Sequence, residues 1–171
     1  MVTRYCPHCW REIGAGDTYC PACGAALNDD GRDLVLRYSD ALRHREPTLA
    51  CLACNMLAEL GDRRAVPPLI ALLDSRPRAY EVACAAAESL GALGDRAATP
   101  ALWSLLQDAD VAIPARLAAL RALLHFGGET ARAAQVWAAT SDRPSLREEA
   151  ASVCGQDSPA KTPVHPVENN E

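Results

Sequence analysis

Leu60-Gly61-Asp62-Arg63-Arg64-Ala65-Val66-Pro67-Pro68-Leu69-Ile70-Ala71-Leu72-Leu73 returns 33 residues later as Leu93-Gly94-Asp95-Arg96-Ala97-Ala98-Thr99-Pro100-Ala101-Leu102-Trp103-Ser104-Leu105-Leu106. A further step of the same length lands on Phe126-Gly127, where the pattern continues more weakly. A backward step pairs Val82 with Leu49, Cys84 with Cys51 and Leu90 with Leu57. Self-similarity at this period marks an array of supersecondary units, each burying its apolar face against the next. Within a unit, Gly suits the exit of one helix, and the following Asp can accept a bond from a first-turn N–H of the next. Pro67 or Pro100 then falls in the opening turn, where a missing N–H costs little. The spacing predicts helices at about 34–43, 48–60, 65–74, 79–92, 97–107, 113–126, 130–140 and 145–154. The short connections make neighbours antiparallel, so the helices stack as about four pairs.

Composition agrees with a helical body. Of the 171 residues, 49% are apolar and only 5% aromatic, so the core must be built mainly from Ala and Leu. Both head the helix scale. The expected fold class is therefore mainly α.

These residues carry a resemblance. The run from Ala58 to Asp74 and its copies are similar to the HEAT-like repeat family, in particular the short form named after phycobilisome lyases, over about residues 34–154. Ankyrin repeats share the period, and Thr99-Pro100-Ala101-Leu102 faintly echoes them, but the Leu-Gly-Asp-x-x-Ala-x-Pro pattern is of the HEAT type. The resemblance implies an α-solenoid whose second helices line the concave side. Taking Cys51, Cys54, Leu57 and Ala58 as the core face of 48–60 leaves Thr48, Leu52, Asn55, Met56 and Glu59 opposite. The equivalent ladders are Glu81, Ala85, Glu88, Ser89 and Ala92, then Pro114, Ala118, Arg121, Ala122 and His125. Asn55, Glu88 and Arg121 form one polar row there, with His125 beyond, a candidate groove for another protein. Leu52 and Met56 are large apolar residues on that face, and we expect the N-terminal module or residues 28–33 to cover them.

Ahead of the repeats lie Cys6-Pro7-His8-Cys9 and Cys20-Pro21-Ala22-Cys23, with ten residues between the pairs. Two cysteines two residues apart reach one metal from a tight turn, and a second such turn completes the four-thiolate tetrahedron that Zn²⁺ accepts. Cys6, Cys9, Cys20 and Cys23 are therefore the expected ligands of one structural zinc. Tyr5-Cys6-Pro7-His8-Cys9 and Tyr19 to Leu27 resemble the short zinc-ribbon family, over about residues 2–28. That family has Gly after the first pair, where Trp10 stands here. Iron is the lesser reading, because rubredoxin-like pairs lie much farther apart. Four cysteines close the coordination shell, which argues for structure over catalysis. So small a module takes most of its folding energy from the metal. Cys51-Leu52-Ala53-Cys54 looks like a further ligand pair, but its copies are Cys84 and Ala87, then Leu117 and Leu120, so these read as core positions. Cys154 reads as a buried thiol as well.

The net charge is −5, with a single lysine, Lys161, and scattered arginines. Phosphate binding through counterion release needs clustered cations, so nucleic acid is disfavoured as a partner. No stretch is apolar enough to span a bilayer. Thiols used this way need a reducing compartment, so the expected location is cytoplasmic. From Gly155 onward the chain is rich in Pro and polar residues and is expected to be disordered.

Three functions follow. The leading one is a zinc-binding scaffold or adaptor that binds a protein on its concave surface, with no enzymatic constellation. A second is chromophore handling, as the lyase-type resemblance implies, with His125 as the candidate in the groove. A third is nucleic-acid binding through the ribbon, with Trp10 and Tyr19 stacking on bases.

Overall fold

The computed structural model describes residues 4–6, 8–14, 16–27, 33–77 and 79–154. The tail expected from Gly155 onward, the covering segment 28–32 and the side chain of Cys154 lie outside the described residues. Among the described residues the chain forms two short strands, β1 (Arg4–Tyr5) and β2 (Glu12–Ile13), and eight helices. These are α1 (Leu34–Ala41), α2 (Pro47–Leu60), α3 (Val66–Asp74) and α4 (Tyr80–Leu93), followed by α5 (Thr99–Gln107), α6 (Ile113–His125), α7 (Gly128–Ala139) and α8 (Pro144–Cys154). The protein is mainly α: a HEAT-like solenoid of four helix pairs carrying a small N-terminal ribbon.

The repeated Leu-Gly-Asp stretch behaves as its chemistry requires. Gly61 and Gly94 leave α2 and α4 in the left-handed conformation, at φ +63° and +67°. Each following Asp then caps the next turn: Asp62 Oδ1 accepts from the Arg64 N–H at 2.9 Å and Asp95 Oδ1 from the Ala97 N–H at 3.0 Å. What they cap is a single 3₁₀ turn, at Arg63–Ala65 and Arg96–Ala98, which tightens the entry to α3 and α5. Asp33 caps α1 in the same way through the Val35 N–H. The arginines of these turns tie one repeat to the next. Arg64 bridges Asp33 and Asp62, Arg63 approaches Asp95 at 4.0 Å, and Arg96 Nη2 donates to the Phe126 carbonyl at 2.8 Å.

The second helices α2, α4 and α6 pack on one another, while α1, α3 and α5 lie on the other side of the stack. Their shared core is leucine and alanine, with Leu57, Leu69, Leu90, Leu102, Leu106 and Leu120 all fully buried. Alanine and glycine set the close approach of α4 to α6. A Cβ placed on Gly91 would sit 3.0 Å from the Ala122 Cβ.

The buried arc of the second helices is rotated and wider than expected. On α2 the buried residues are Ala50, Ala53, Cys54 and Leu57, whereas Cys51 and Ala58 are half-buried. Leu52 and Met56 are half-buried too, and Met56 packs against the solenoid's own core. Ala85, Ser89, Ala118 and Ala122, placed by the pattern on the open face, are buried. Each second helix has neighbours on two sides, its pair partner and the next second helix, so a single-face pattern understates burial.

Candidate functional site

The ribbon is two near-copies of one turn. In the first, Cys6 N–H donates to the Arg11 carbonyl at 2.8 Å, and Trp10 N–H donates to the Cys6 carbonyl at 2.7 Å. In the second, Cys20 N–H donates to the Ala25 carbonyl at 2.8 Å, and Gly24 N–H to the Cys20 carbonyl at 2.9 Å. Strands β1 and β2 pair antiparallel beneath the first turn, and a Tyr19–Ala26 bridge closes the second. Gly24 sits at φ +70° and Trp10 at φ +58°. The tryptophan thus takes the left-handed conformation that its counterpart supplies without strain, at about 1–2 kcal/mol for an L-residue.

The two turns bring the Cys6, Cys9, Cys20 and Cys23 sulfurs together, all within 4.8 Å of one another. Cys6 Sγ lies 3.7 Å from Cys23 Sγ, and Cys9 Sγ 3.5 Å from Cys20 Sγ. A tetrahedral zinc with bonds of about 2.3 Å places its sulfurs about 3.8 Å apart, so the donor set fits that ion. Its charge chemistry fits as well. Burial opposes ionisation of Cys20, but backbone donors at Cys23 and Ala22, together with the Cys23 and Cys9 thiols, outweigh it and bring the thiol down to about 6. At Cys23 the Ala25 N–H favours the thiolate, yet desolvation and the three neighbouring sulfurs push it up to about 12. Four thiolates this close need a cation to share. His8 is exposed and stands outside the four-sulfur group.

The ribbon rests on α1. The Trp10 ring packs against Tyr38 with centroids 6.0 Å apart, Tyr38 Oη donates to the Tyr5 carbonyl at 3.2 Å, and Arg37 Nη1 donates to the Leu27 carbonyl at 3.2 Å. The expectation was that the ribbon or residues 28–33 cover Leu52 and Met56; the ribbon contacts above run to Arg37 and Tyr38 on the first helix, and residues 28–32 lie outside the described residues.

On the other side of the stack, Glu88, Arg121 and His125 border one groove of about 270 Å³ between α4 and α6, floored by Gly91, Ala118 and Ala122. Asn55 is exposed on α2 and stands outside this groove. Arg121 is not a free cation. Its Nε and Nη2 donate to the Glu149 carboxylate of α8 at 2.9 and 2.7 Å. That bond holds the Glu149 carboxyl below its ordinary value of 4.5. A carboxyl lowered by folding stabilises above its unfolded pKa, and the contribution fades as pH falls through the folded value. We expect α8 to loosen by about 0.2–1 kcal/mol as acidification carries the pH below the ordinary carboxyl range, because the pair is partly exposed. Thermal unfolding followed against pH should lose this component in Glu149→Gln.

Cys51 and Cys84 lie within electrostatic reach of Glu81 and Glu88, and Cys84 also of Cys51. Burial, then these carboxylates, raise both thiols above their ordinary value. Arg116 belongs to no motif in the sequence. It is only 4% exposed on α6, donates from Nε to the Leu106 carbonyl at 2.9 Å and lies over the Trp137 ring at 6.0 Å. The guanidinium closes the C-terminal end of α5, where carbonyls lack helical partners.

Fold and site define a repeat protein of stacked helix pairs carrying a four-cysteine ribbon. Two similarities agree with this. Residues 37–115 match the family described as HEAT repeats, and residues 6–63 match the one described as double zinc ribbon. The latter match runs on over α1 and into Cys51 and Cys54, but among the described residues the four-sulfur group is formed by Cys6, Cys9, Cys20 and Cys23, and Cys54 is buried in the helical core. A comparison with curated proteins finds no match. No helix among the described residues is long and apolar enough to cross a membrane.

Proposed function

We propose that the protein is a zinc-binding interaction scaffold. One structural ion on Cys6, Cys9, Cys20 and Cys23 folds the ribbon, and the second helices offer another protein the groove of Glu88, Arg121 and His125. The observation that carries this reading is the groove itself: a floor of small residues that admits close approach, edged by charged and polar groups. Asn55 on the preceding helix extends the polar row, and half-buried Leu52 and Met56 supply apolar area beside it. Zinc would close its shell with four thiolates and leave no position for substrate.

The chromophore-handling reading needs a reactive group in this groove. His125 borders it, whereas Cys51 and Cys84 stand outside it, and burial together with Glu81 and Glu88 raises both thiols above their ordinary value. The nucleic-acid reading loses Trp10 to the contact with Tyr38 and keeps Tyr19, which is 66% exposed.

Affinity capture from a native extract tests the scaffold. The wild type should retain a protein partner that the double variant Glu88→Arg, His125→Glu loses. Recovery of nucleic acid alone, or equal capture by the variant, would overturn the reading, and a spectral change on mixing with bilins would replace it with the second one.

A further inference from the structure

At the ends of the helices opposite the Gly-Asp turns, successive repeats leave a space between them. Between the second and third pairs this space is a cavity of about 410 Å³, whose wall includes Leu73, Ala83, Ala101 and Ser104. A smaller version, about 270 Å³, lies one repeat earlier, with Asp40 and Ala71 at the positions of Leu73 and Ser104. One repeat later larger side chains stand at the corresponding positions. Stepping 33 residues on, Ala83 becomes Arg116, Ser104 becomes Trp137 and Leu73 becomes Leu106. There the Arg116 guanidinium bonds the Leu106 carbonyl and lies over the Trp137 indole, buried from solvent.

The repeat therefore contains its own template for what the open cavity accepts. Where the third space holds a guanidinium and an indole from this chain, the second has alanine and serine, and the volume they leave is open at the edge. The rim is also prepared for a cation. Asp74, Asp108 and Asp110 line it. Asp108 is already engaged by the largely exposed Arg76, whose Nη2 is 3.1 Å from Oδ2, and by the Asp110 N–H at 3.0 Å from Oδ1. The exposed carboxylates of Asp74 and Asp110 are therefore the rim's acceptors for a further cation. The C-terminal end of α3 reaches the rim through Leu73 and Asp74, with its last carbonyls already accepting from Ser75 and Arg76. Tyr80, 47% exposed on the cavity wall, adds an aromatic for a guanidinium to stack on.

We propose that the cavity between the second and third helix pairs receives an arginine side chain of a partner protein, with room beside it for an aromatic neighbour, in the pose that Arg116 and Trp137 take one repeat on. The proposal deepens the scaffold reading and rests on it, but concerns a surface apart from the Glu88 groove. Planar guanidinium recognition by the rim carboxylates, with Tyr80 to stack on, selects arginine over lysine.

The test uses the whole zinc-loaded chain and a blocked Arg-Trp dipeptide, with blocked citrulline-Trp and Lys-Trp as controls, followed by the methyl resonances of Ala83 and Ala101. The arginine probe should shift these methyls saturably in the millimolar range, and the isosteric, uncharged citrulline probe should bind at least several-fold more weakly. Asp110→Asn should weaken arginine binding several-fold. The double variant Ala83→Arg, Ser104→Trp should fill the space from within, raise the Tm and abolish binding. Equal shifts from arginine and citrulline, shifts confined to residues outside the cavity, or undiminished binding in Asp110→Asn would each overturn the proposal. Asp110→Asn leaves the packing untouched, so the question is decided even if the double variant does not fold. Because the probe is a defined dipeptide, its failure leaves the Glu88 groove standing, and loss of partner capture by the groove variant leaves the cavity result unaffected.

Discussion

Removing the metal by chelation, or replacing Cys20 by Ser, should unfold the ribbon and release Trp10 from Tyr38 while most of the helical signal survives. The ribbon's own buried cluster is Cys6, Cys20 and Leu27, two of them sulfurs, so metal binding worth about 10–16 kcal/mol in comparable small zinc modules has to supply the folding energy. The solenoid from α2 onward has its own leucine core and does not need the ion. Only α1 is exposed to the loss. It is eight residues long, too short to persist alone, and Tyr38 and Arg37 both bond the ribbon. Far-UV circular dichroism should therefore fall by about the share of α1, and the Trp10 indole resonance should move to a solvated position. Loss of the whole helical signal would mean that ribbon and solenoid fold as one unit. Trp10→Gly separates the two roles of that residue: it relieves the left-handed strain and keeps metal affinity, but removes the ring that seats the ribbon on α1.

Leu90→Ala should cost about 2–5 kcal/mol, the range for emptying a fully buried leucine site. Leu90 is fully buried in the middle helix of the stack, between α2 and α6, and neither neighbour can collapse freely toward the void. The α4–α6 approach is already at contact, with Gly91 against Ala122. Thermal unfolding read by circular dichroism should show the loss as a Tm drop of several degrees, larger than that of any change at the exposed Asn55 or Glu88. A drop of less than one degree would show that the site repacks.

Much of this was legible because the repeat is periodic and its punctuation is chemical. Gly61, Asp62 and Pro67 each force a particular backbone, and their copies at Gly94, Asp95 and Pro100 repeat it, so helix ends fell within a residue or two in most cases. The paired Cys-Pro-x-Cys turns were legible for the same reason. What escaped depends on contacts between elements. Ser89 and Ala122 are polar or small residues on a nominally open face, buried because a second helix closes over them. Trp10 reads as a misfit in a ribbon until Tyr38, far off in sequence, is known to face it. Arg116 could have been found by aligning the copies, where it replaces Ala83, but its depth comes from Trp137, whose partner in the register is only a serine.

The contact of Gly91 with Ala122 has a mechanical meaning. Along that line α4 and α6 have no slack, because a single methyl group would already crowd them, yet the same two helices part beside it to leave the groove of about 270 Å³, and the space of about 410 Å³ opens where α4 meets α3 and α5. Gly91→Ala should therefore force α4 and α6 apart at that point and alter the spacing of the two pairs they belong to. The two repeats are in this sense keyed at one residue rather than along a whole face.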